Sequence, residues 1–425
     1  MESVALQNDK PRLLIVSHVL PLPGATGQQQ RVANTLRTFR NHFHVSFLTS
    51  CGKQPEQVLR QKLVEFCDEA ILLPSVYEAS QFGKLWHRGA GAAYALRTGL
   101  KESNYIIGEL EFAAERIEMA LDGRSFDLAL FEYWHAAGAV EIFKRRGIPC
   151  ALDMHDVLWQ TYKRQLDRGA LPASLKSWQL ERYRQREEQA WQLFDAIIAI
   201  NHSELRHVAQ CVPPPVKLFH AGMGVDLTLW PYLWQPRNPP RLAYYGGLGN
   251  PHNQIDARKV HDELMPDVWR HFPDAELWLI GSNPPEDLRA LTADARVKVT
   301  GFVERVQPIL STMAAVLCPF SGTFGFRSRL IETMALGVPV IASPDAVYGM
   351  EMEEGCGLLL GETNEQLIEH ALRLLDDQSF AAEQSKLARR QIETQFSVEA
   401  TYGKLALELR DWLLNSEVSF TRISQ

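Results

Sequence analysis

The sequence predicts an α/β protein with two Rossmann-like, doubly wound parallel-sheet domains that face a cleft. Three observations predict this fold class. Short apolar runs alternate with helical patterns in both halves of the chain, and this alternation indicates parallel sheets covered on both faces. A connector with several prolines and glycines separates the halves. Polar and glycine-containing stretches follow several apolar runs, where ligands of open α/β sheets bind.

The strand pattern gives the domain limits. We predict an N-terminal domain over residues 1–215, with strand runs at 12–20, 44–50, 69–74, 127–133, 149–156 and 195–201. Prolines and glycines in residues 216–240 predict a linker. A C-terminal domain is predicted over 241–395, with runs at 241–247, 275–282, 297–303, 314–320, 339–343 and 357–361. Residues 396–425 should form an amphipathic helix.

Composition excludes several classes of protein. The 425 residues carry a net charge of -7, which argues against nucleic acid as a partner. Six cysteines lack zinc-ligand spacing, so we expect reduced thiols in a cytoplasmic protein. No apolar run is long enough to span a membrane. A peripheral contact with the inner face of a membrane stays open.

The stretch "PFSGTFGFRSRLIETMALGVPVIAS" carries the clearest chemistry. Gly322 and Gly325 precede a helix, and a glycine loop at a helix amino end favours anions. Arg327 and Arg329 add charge suited to phosphate oxygens. Glu332, about one turn into the helix, suits a pair of neighbouring hydroxyls, as on a ribose. The alternative is an ion pair between Arg329 and Glu332 within the helix.

The same stretch resembles the signature of nucleotide-sugar glycosyltransferases of the two-domain GT-B type. It is similar to the large retaining family (group 1, or family 4-like) that includes sucrose, polysaccharide and glycolipid glycosyltransferases. That family has a helix E-A-M-A-x-G-x-P-V-(I/V)-A, whose glutamate binds the donor ribose, and Glu332 matches it. The similarity extends over most of residues 240–377. It implies an acceptor-binding N-terminal domain and a nucleotide-sugar-binding C-terminal domain, with a nucleotide diphosphate-sugar as donor. It also implies no metal or other cofactor, and a final helix that crosses back to the N-terminal domain.

The resemblance implies further donor-binding residues. "VTGFV" matches a loop that contacts the base, which makes Phe302 and Val303 candidates. Two departures concern the sugar and the diphosphate. Phe324 stands where the family has a second glutamate, and the family's usual Arg and Lys are absent after the first strand of this domain. We therefore assign phosphate neutralisation to Arg327 and Arg329. The loop residues expected to assist in the donor site are Gly246, Gly247, Gly249, Gly325 and Phe326.

The N-terminal half has a weaker match. "PLPGATGQQQR" resembles the family's P-x-x-G-G-x-x-x-R loop, which places Gly27 and Arg31 near the donor diphosphate; the alternative is a solvated Arg31. "ALDMHD" ends a predicted strand, and a histidine there reaches the reacting centre in related enzymes. His155 and Asp156 are therefore catalytic candidates, with a core or capping histidine as the alternative. His18 and His135 are weaker candidates.

These observations predict a retaining glycosyltransferase. By analogy with bacterial relatives, its acceptor is expected to be a cell-surface polysaccharide or glycolipid precursor. One alternative is a nucleotide-sugar 2-epimerase of the same architecture, which would need no acceptor. The other is a non-catalytic nucleotide-binding or scaffold protein. This alternative stays open because Phe324 stands where the family has a glutamate.

Overall fold

The computed structural model of the protein describes residues 10–24, 26–52, 54–75, 81–98, 110–168, 172–322 and 326–423. The chain divides into two compact units, residues 223–401 and residues 1–222 with 402–425. Each unit contains one sheet whose recorded strand pairs are all parallel. The prediction of two parallel-sheet α/β domains is therefore confirmed.

The first unit is built on a seven-stranded sheet in the order β3-β2-β1-β4-β5-β6-β7. Every residue of β4, β5 and β6 is buried, as expected for parallel strands with helices on both faces. The strands are β1 (Arg12–Ser17), β2 (His44–Ser50), β3 (Glu69–Leu73), β4 (Leu128–Glu132), β5 (Cys150–Asp153), β6 (Ala196–Ala199) and β7 (Lys217–His220).

The seventh strand corrects the sequence prediction. β7 lies inside residues 216–240, which we predicted to be a linker. Lys217 pairs with Ala196 and His220 pairs with Ala199, so this segment extends the first sheet by one strand. The segment is short and follows three consecutive prolines. Prolines are typical of loops, so the sequence pattern favoured a linker over a strand.

The second unit is built on a six-stranded parallel sheet in the order β10-β9-β8-β11-β12-β13. All six strands predicted for this half are present. They are β8 (Arg241–Tyr245), β9 (Glu276–Ile280), β10 (Val297–Val299), β11 (Ala315–Cys318), β12 (Val340–Ala342) and β13 (Leu358–Leu360).

Helices connect the strands in both units. In the described part of the chain, no helix is both long and apolar enough to cross a membrane. In the last helix, Trp412 lies 6.2 Å from the ring of Phe219 in β7, measured between centroids, so this helix packs on the first unit. The helices are α1 (Gly27–Phe39), α2 (Glu56–Leu63), α3 (Gln81–Thr98), α4 (Ala114–Leu121), α5 (Val140–Arg145), α6 (Leu158–Arg168), α7 (Ala173–Trp191), α8 (His202–Cys211), α9 (Pro251–Lys259), α10 (Met265–His271), α11 (Glu286–Arg289), α12 (Gln307–Leu310), α13 (Ser328–Ala335), α14 (Asn364–Asp376), α15 (Gln378–Gln391) and α16 (Lys404–Ile423).

The strand order places one binding position in each sheet. Chain order reverses between β1 and β4 in the first sheet and between β8 and β11 in the second. Ligands of open α/β sheets bind outside the carboxyl ends of the strands at such a reversal. The loops after β1 and β4, and those after β8 and β11, are therefore where functional side chains should lie.

Two strand ends in the second unit approach each other more closely than side chains allow. Gly281 follows β9, and Gly246 follows β8. A Cβ atom on Gly281 would lie 1.7 Å from the carbonyl oxygen of Gly246 and 3.2 Å from Cγ of Leu248. The absence of a side chain at residue 281 therefore fixes the path of the loop after β8.

Replacing this glycine should destabilise the second unit. In Gly281→Ala the added methyl overlaps a backbone oxygen, so we expect a loss of about 1–3 kcal/mol or more in the free energy of unfolding. Thermal denaturation measures the loss. Gly138→Ala is the control, because a Cβ atom there meets nothing within 4 Å. Equal melting temperatures for the two variants would contradict the close approach.

Candidate active site

A buried ion pair holds the carboxyl edge of the first sheet. Arg31 lies in α1, about one turn after the cap at Thr26, whose side chain accepts a hydrogen bond from the Gln29 amide. Its Nε and Nη2 each donate to the Asp153 carboxylate at 2.8 Å, and Nη1 donates to the Ala221 carbonyl at 3.0 Å. Both charged side chains are 1% exposed.

This geometry rules out the solvated alternative for Arg31. Its guanidinium is buried and directed at protein oxygens, so Arg31 does not lie in solvent, and its contact with a diphosphate stays a prediction. The pair joins α1 to the end of β5. Gly27, the first residue of α1, has open space around it, since a Cβ atom there would meet nothing within 4 Å. The role of Gly27 in the donor site stays a prediction.

A carboxylate and an imidazole meet beside this ion pair. Glu132 is the last residue of β4, and its Oε2 is hydrogen-bonded to Nε2 of His155, two residues after β5. Both residues are buried. Burial raises the pKa of the Glu132 carboxyl, while the neighbouring His155 opposes that shift. Among the described residues, Oε1 of Glu132 has no hydrogen-bond partner, so a hydroxyl or water there would satisfy a buried acceptor.

The backbone at this position is strained. Tyr133 has φ 69° and His155 has φ 59°, a region that bulky residues adopt only when their surroundings enforce it. The two rings stack, with centroids 4.1 Å apart and an interplanar angle of 23°. Strain of this kind clusters at functional sites, which supports a functional reading of His155 over a core histidine.

The two weaker histidine candidates join the same cluster. His18 follows β1, and its ring centroid lies 5.3 Å from that of Tyr133 and 5.0 Å from that of His135. Burial lowers the pKa of His18 to about 4, and burial also holds the pKa of His135 well below its usual value. The loops after β1 and β4 therefore bring two neutral imidazoles, those of His18 and His135, together at the reversal of the first sheet.

Asp156 is engaged elsewhere. Its Oδ2 accepts a hydrogen bond from Oγ1 of Thr161, in α6. Burial is the largest cause that raises the pKa of Glu204 to about 8, and a hydrogen bond with Asp156 adds to the increase. This carboxylate therefore interacts with residues of α6 and α8, and the catalytic role of Asp156 stays a prediction.

In the second unit, Tyr245 connects two of the predicted site residues. It is the last residue of β8, and its hydroxyl donates to Oε2 of Glu332 at 3.2 Å. The guanidinium of Arg329 lies over its ring, 4.6 Å from the centroid. Glu332 is buried in α13. Burial is the largest cause that raises the pKa of the Tyr245 hydroxyl, and the charge of Glu332 is the second. The hydroxyl therefore keeps its proton and can donate it in a hydrogen bond.

Arg327 immediately precedes α13 and is held by the backbone. Its Nη1 donates to the carbonyl of Ala346 at 3.1 Å, and its guanidinium lies 3.3 Å from the ring centroid of Phe320. The N–H of Gly322 donates to Oδ2 of Asp345 at 2.7 Å, which fastens the start of the glycine loop to the residues after β12.

The remainder of that loop is only partly described. Gly325, a predicted donor-binding residue, lies outside the described residues, as does Phe324. Phe326 is half-buried, and its ring centroid lies 6.4 Å from that of Phe396. Its donor contact stays a prediction.

The glycine loop after β8 uses its amides internally. The N–H of Gly246 donates to the Ile280 carbonyl at 3.0 Å, and that of Gly249 donates to the Ser282 carbonyl at 3.1 Å. These two N–H groups are therefore engaged within the protein, and a donor contact of Gly246 and Gly249 stays a prediction. For Gly247, the carbonyl accepts from Nδ2 of Asn253 at 2.9 Å, and a phosphate contact stays a prediction.

The predicted base-contacting residues lie in the loop after β10. Phe302 is 78% exposed, which is unusual for a phenylalanine and leaves its ring available for stacking. Val303 is half-buried beside it. β10 is an edge strand of the second sheet.

Sequence reasoning missed Glu132 and Tyr245. Each is the last residue of a strand beside the reversal of its sheet. A polar side chain at that position is the signal that could have identified both.

Two family models match the chain. The Glycosyl transferase 4-like domain matches residues 26–222, and Glycosyl transferases group 1 matches residues 239–377. The chain belongs to the group 1 glycosyltransferases. The predicted membership of the group 1 glycosyltransferases is thereby confirmed. Among curated protein sequences, none matches the chain.

Solved structures share the fold of this glycosyltransferase. Sucrose-phosphate synthase from Thermosynechococcus elongatus has a TM-score of 0.64 and 16% identity, covering 96% of this chain and 100% of that one. Anabaena HepE in complex with UDP and glucose has a TM-score of 0.56 and 13% identity, covering 94% and 99%.

A putative UDP-N-acetylglucosamine 2-epimerase from Listeria monocytogenes also has this fold, with a TM-score of 0.54 and 12% identity, covering 96% of this chain and 97% of that one. Structural likeness at such identities shows the fold alone. It is the family models that assign the chain to the glycosyltransferases.

Breaking the buried ion pair of the glycosyltransferase should be costly. Arg31→Met keeps the aliphatic stem but leaves the Asp153 charge buried and unpaired, so we expect a loss of about 3–5 kcal/mol in the free energy of unfolding. Denaturant titration measures it. Arg146→Met is the control, since Arg146 forms an exposed pair with Glu118, worth at most about 1 kcal/mol. Similar losses in the two variants would refute the structural role of Arg31.

The neutral imidazoles predict a pH dependence of stability. Unfolded histidines take up protons below about pH 6.5, whereas folded His18 does so only near pH 4. The unfolded chain binds more protons in this window, so stability should fall as the pH drops from about 6.5 to about 4. The substitution His135→Gln removes one such group. The free energy of unfolding of this variant should therefore fall less steeply with decreasing pH than that of the unmodified protein. Parallel curves would show that His135 does not contribute.

Proposed function

We propose that the protein transfers a glycosyl group from a nucleotide diphosphate-sugar to an acceptor, with retention of configuration and without a metal ion. The observation that carries this proposal is the contact of Tyr245 with both Glu332 and Arg329. It places a carboxylate that can accept hydrogen bonds from ribose hydroxyls close to a cation that can pair with phosphate.

Both arginines are oriented before any ligand binds. Arg329 is stacked on Tyr245, and Arg327 is held by the Ala346 carbonyl and by Phe320. Charges that are fixed in advance stabilise a developing charge without a cost of reorganisation. The amino end of α13, which begins at Ser328, adds the positive end of a helix dipole. We assign stabilisation of the leaving diphosphate to these groups.

The nucleotide is proposed to be a uridine diphosphate. HepE, which shares the fold, is recorded in complex with UDP and glucose. We assign the base to the exposed ring of Phe302 and to Val303 beside it.

In the first unit we assign a sugar hydroxyl to Glu132 and His155. The oxygen of Glu132 that has no partner among the described residues can accept a hydroxyl proton in a hydrogen bond. His155 holds the other oxygen of the same carboxylate. Because one oxygen of Glu132 is hydrogen-bonded to the imidazole of His155, we assign Glu132 to hydroxyl binding and not to nucleophilic attack. Retention would then follow from front-face substitution assisted by the leaving phosphate. We propose a saccharide-containing acceptor, such as a polysaccharide or glycolipid precursor.

The alternative function is that of a nucleotide-sugar 2-epimerase, the putative activity of the Listeria protein that shares this fold. An epimerase converts its nucleotide-sugar with no second substrate, whereas a transferase leaves the donor sugar unconverted until an acceptor is added. Chromatography of a UDP-sugar incubated with the protein alone distinguishes the two.

Nucleotide binding tests the proposed donor site. Glu332→Gln keeps the shape of the side chain but removes its charge, and a hydrogen bond to a charged group is worth about 1.5–3 kcal/mol. We therefore expect the Kd for UDP to rise about tenfold or more, with an unchanged melting temperature, as measured by calorimetry.

The matched control is Glu369→Gln, an exposed glutamate of α14 in the same unit, which should bind UDP like the unmodified protein. An unchanged Kd in Glu332→Gln would overturn the ribose assignment. If the unmodified protein bound none of UDP, GDP and dTDP at millimolar concentration, the non-catalytic alternative without a nucleotide would be favoured.

A further inference from the structure

Three side chains with metal-binding atoms meet where α7 and α8 pack, outside the candidate active site. Glu188 belongs to α7, and His207 and Cys211 belong to α8. The last two are four residues apart, so they lie on one face of their helix, one turn from each other. Together the three offer a carboxylate oxygen, an imidazole nitrogen and a sulfur.

The distances are close to those of a bound ion. Nε2 of His207 lies 3.9 Å from Sγ of Cys211 and 3.9 Å from Oε1 of Glu188. All three ligand atoms lie within 4.8 Å of one another. A tetrahedral zinc ion, with Zn–S and Zn–N bonds of about 2.3 and 2.1 Å, separates its sulfur and nitrogen ligands by about 3.6 Å. Small side-chain rotations therefore convert the cluster into a coordination site.

The surroundings hold the imidazole and leave the cluster accessible. The ring of His207 lies 5.9 Å from that of Trp159 and 6.0 Å from that of Trp191, measured between centroids. The side chains of His207 and Glu188 are 26% and 20% exposed, and Cys211 is half-buried. An ion can therefore enter from solvent, and a water molecule can provide a fourth ligand.

One cation already touches the cluster. Nε of Arg184 donates to Oε1 of Glu188 at 2.8 Å, across one turn of α7. The Arg184 side chain is 47% exposed, and an exposed pair of this type is worth little. A metal ion would compete with Arg184 for Glu188, and the arginine side chain has room to move into solvent.

We propose that Glu188, His207 and Cys211 form a binding site for a divalent transition-metal ion such as zinc. A thiolate, an imidazole and a carboxylate suit zinc or cobalt, whereas magnesium and calcium prefer oxygen ligands alone. As the metal–sulfur bond forms, the thiol of Cys211 loses its proton to solvent. The bound ion connects α7 to α8 and so stabilises the folded first unit.

Cobalt is the probe that reports on the sulfur ligand. Full-length protein, treated with a chelator and dialysed, is titrated with Co²⁺. We expect a thiolate-to-cobalt absorption band in the near ultraviolet that saturates at one equivalent and disappears when Zn²⁺ is added. Zn²⁺ should also raise the melting temperature, because an ion that binds the folded state stabilises it.

Variants locate the site. Cys211→Ser should abolish the band, and His207→Gln should weaken Co²⁺ binding at least about tenfold, which is the cost of losing even an outer-shell partner. Cys356→Ser is the matched control, because Cys356 is also half-buried beside a glutamate, with Sγ 3.7 Å from Glu353. Arg184→Gln removes the competing cation and should tighten binding severalfold.

Several results would overturn the site. These are the absence of a thiolate band in the unmodified protein with excess Co²⁺, its persistence in Cys211→Ser, its loss in Cys356→Ser, and weaker binding in Arg184→Gln. Circular dichroism checks that each variant is folded. If Cys211→Ser does not fold, Glu188→Gln gives the decision, since it keeps the thiol and must lose at least about tenfold in Co²⁺ affinity.

Discussion

The buried ion pair between Arg31 and Asp153 fixes the carboxyl edge of the first sheet. Removing both charges from water is expensive, and the cost is offset only when each polar atom has a well-placed partner. Arg31 meets that condition by reaching Asp153 at the end of β5 and the Ala221 carbonyl just after β7. His155 follows Asp153 by two residues. The position of the Glu132–His155 pair therefore depends on a buried contact beside it.

The second unit arranges its charges in another way. Tyr245 meets Glu332 through a neutral hydroxyl and Arg329 through its ring, so it positions both charges without neutralising either. A similar arrangement surrounds Asp256, a buried carboxyl of α9 near the hydroxyl of Tyr244. Burial raises the pKa of Asp256 to about 6, and the charge of Arg327 opposes that increase. Around Tyr245 two charged groups meet one neutral side chain, whereas Arg31 and Asp153 neutralise each other.

Local sequence predicted the strands well because parallel strands buried on both faces are continuous apolar runs. β7 was missed because it is short and follows prolines. In the candidate site, Glu332 was predicted from the sequence of its helix, which is a local signal. The contacts that the sequence did not reveal join distant residues: Arg31 to Asp153 across 122 positions, and Tyr245 to Glu332 across 87. A pattern within one loop shows that an arginine is present, but not which carboxylate it faces.

The first unit is discontinuous in the chain, which leaves it after Gly222 and returns at Tyr402. Arg31 contacts both ends of this interruption, through the Ala221 carbonyl and the ring of Tyr402, 5.7 Å away. On the ribosome, synthesis proceeds from the amino end, and domains generally fold as units. All residues of the second unit are thus translated before the last helix of the first. The unit whose synthesis begins first is completed last, and until then the surface that α16 covers must remain in contact with water or a chaperone.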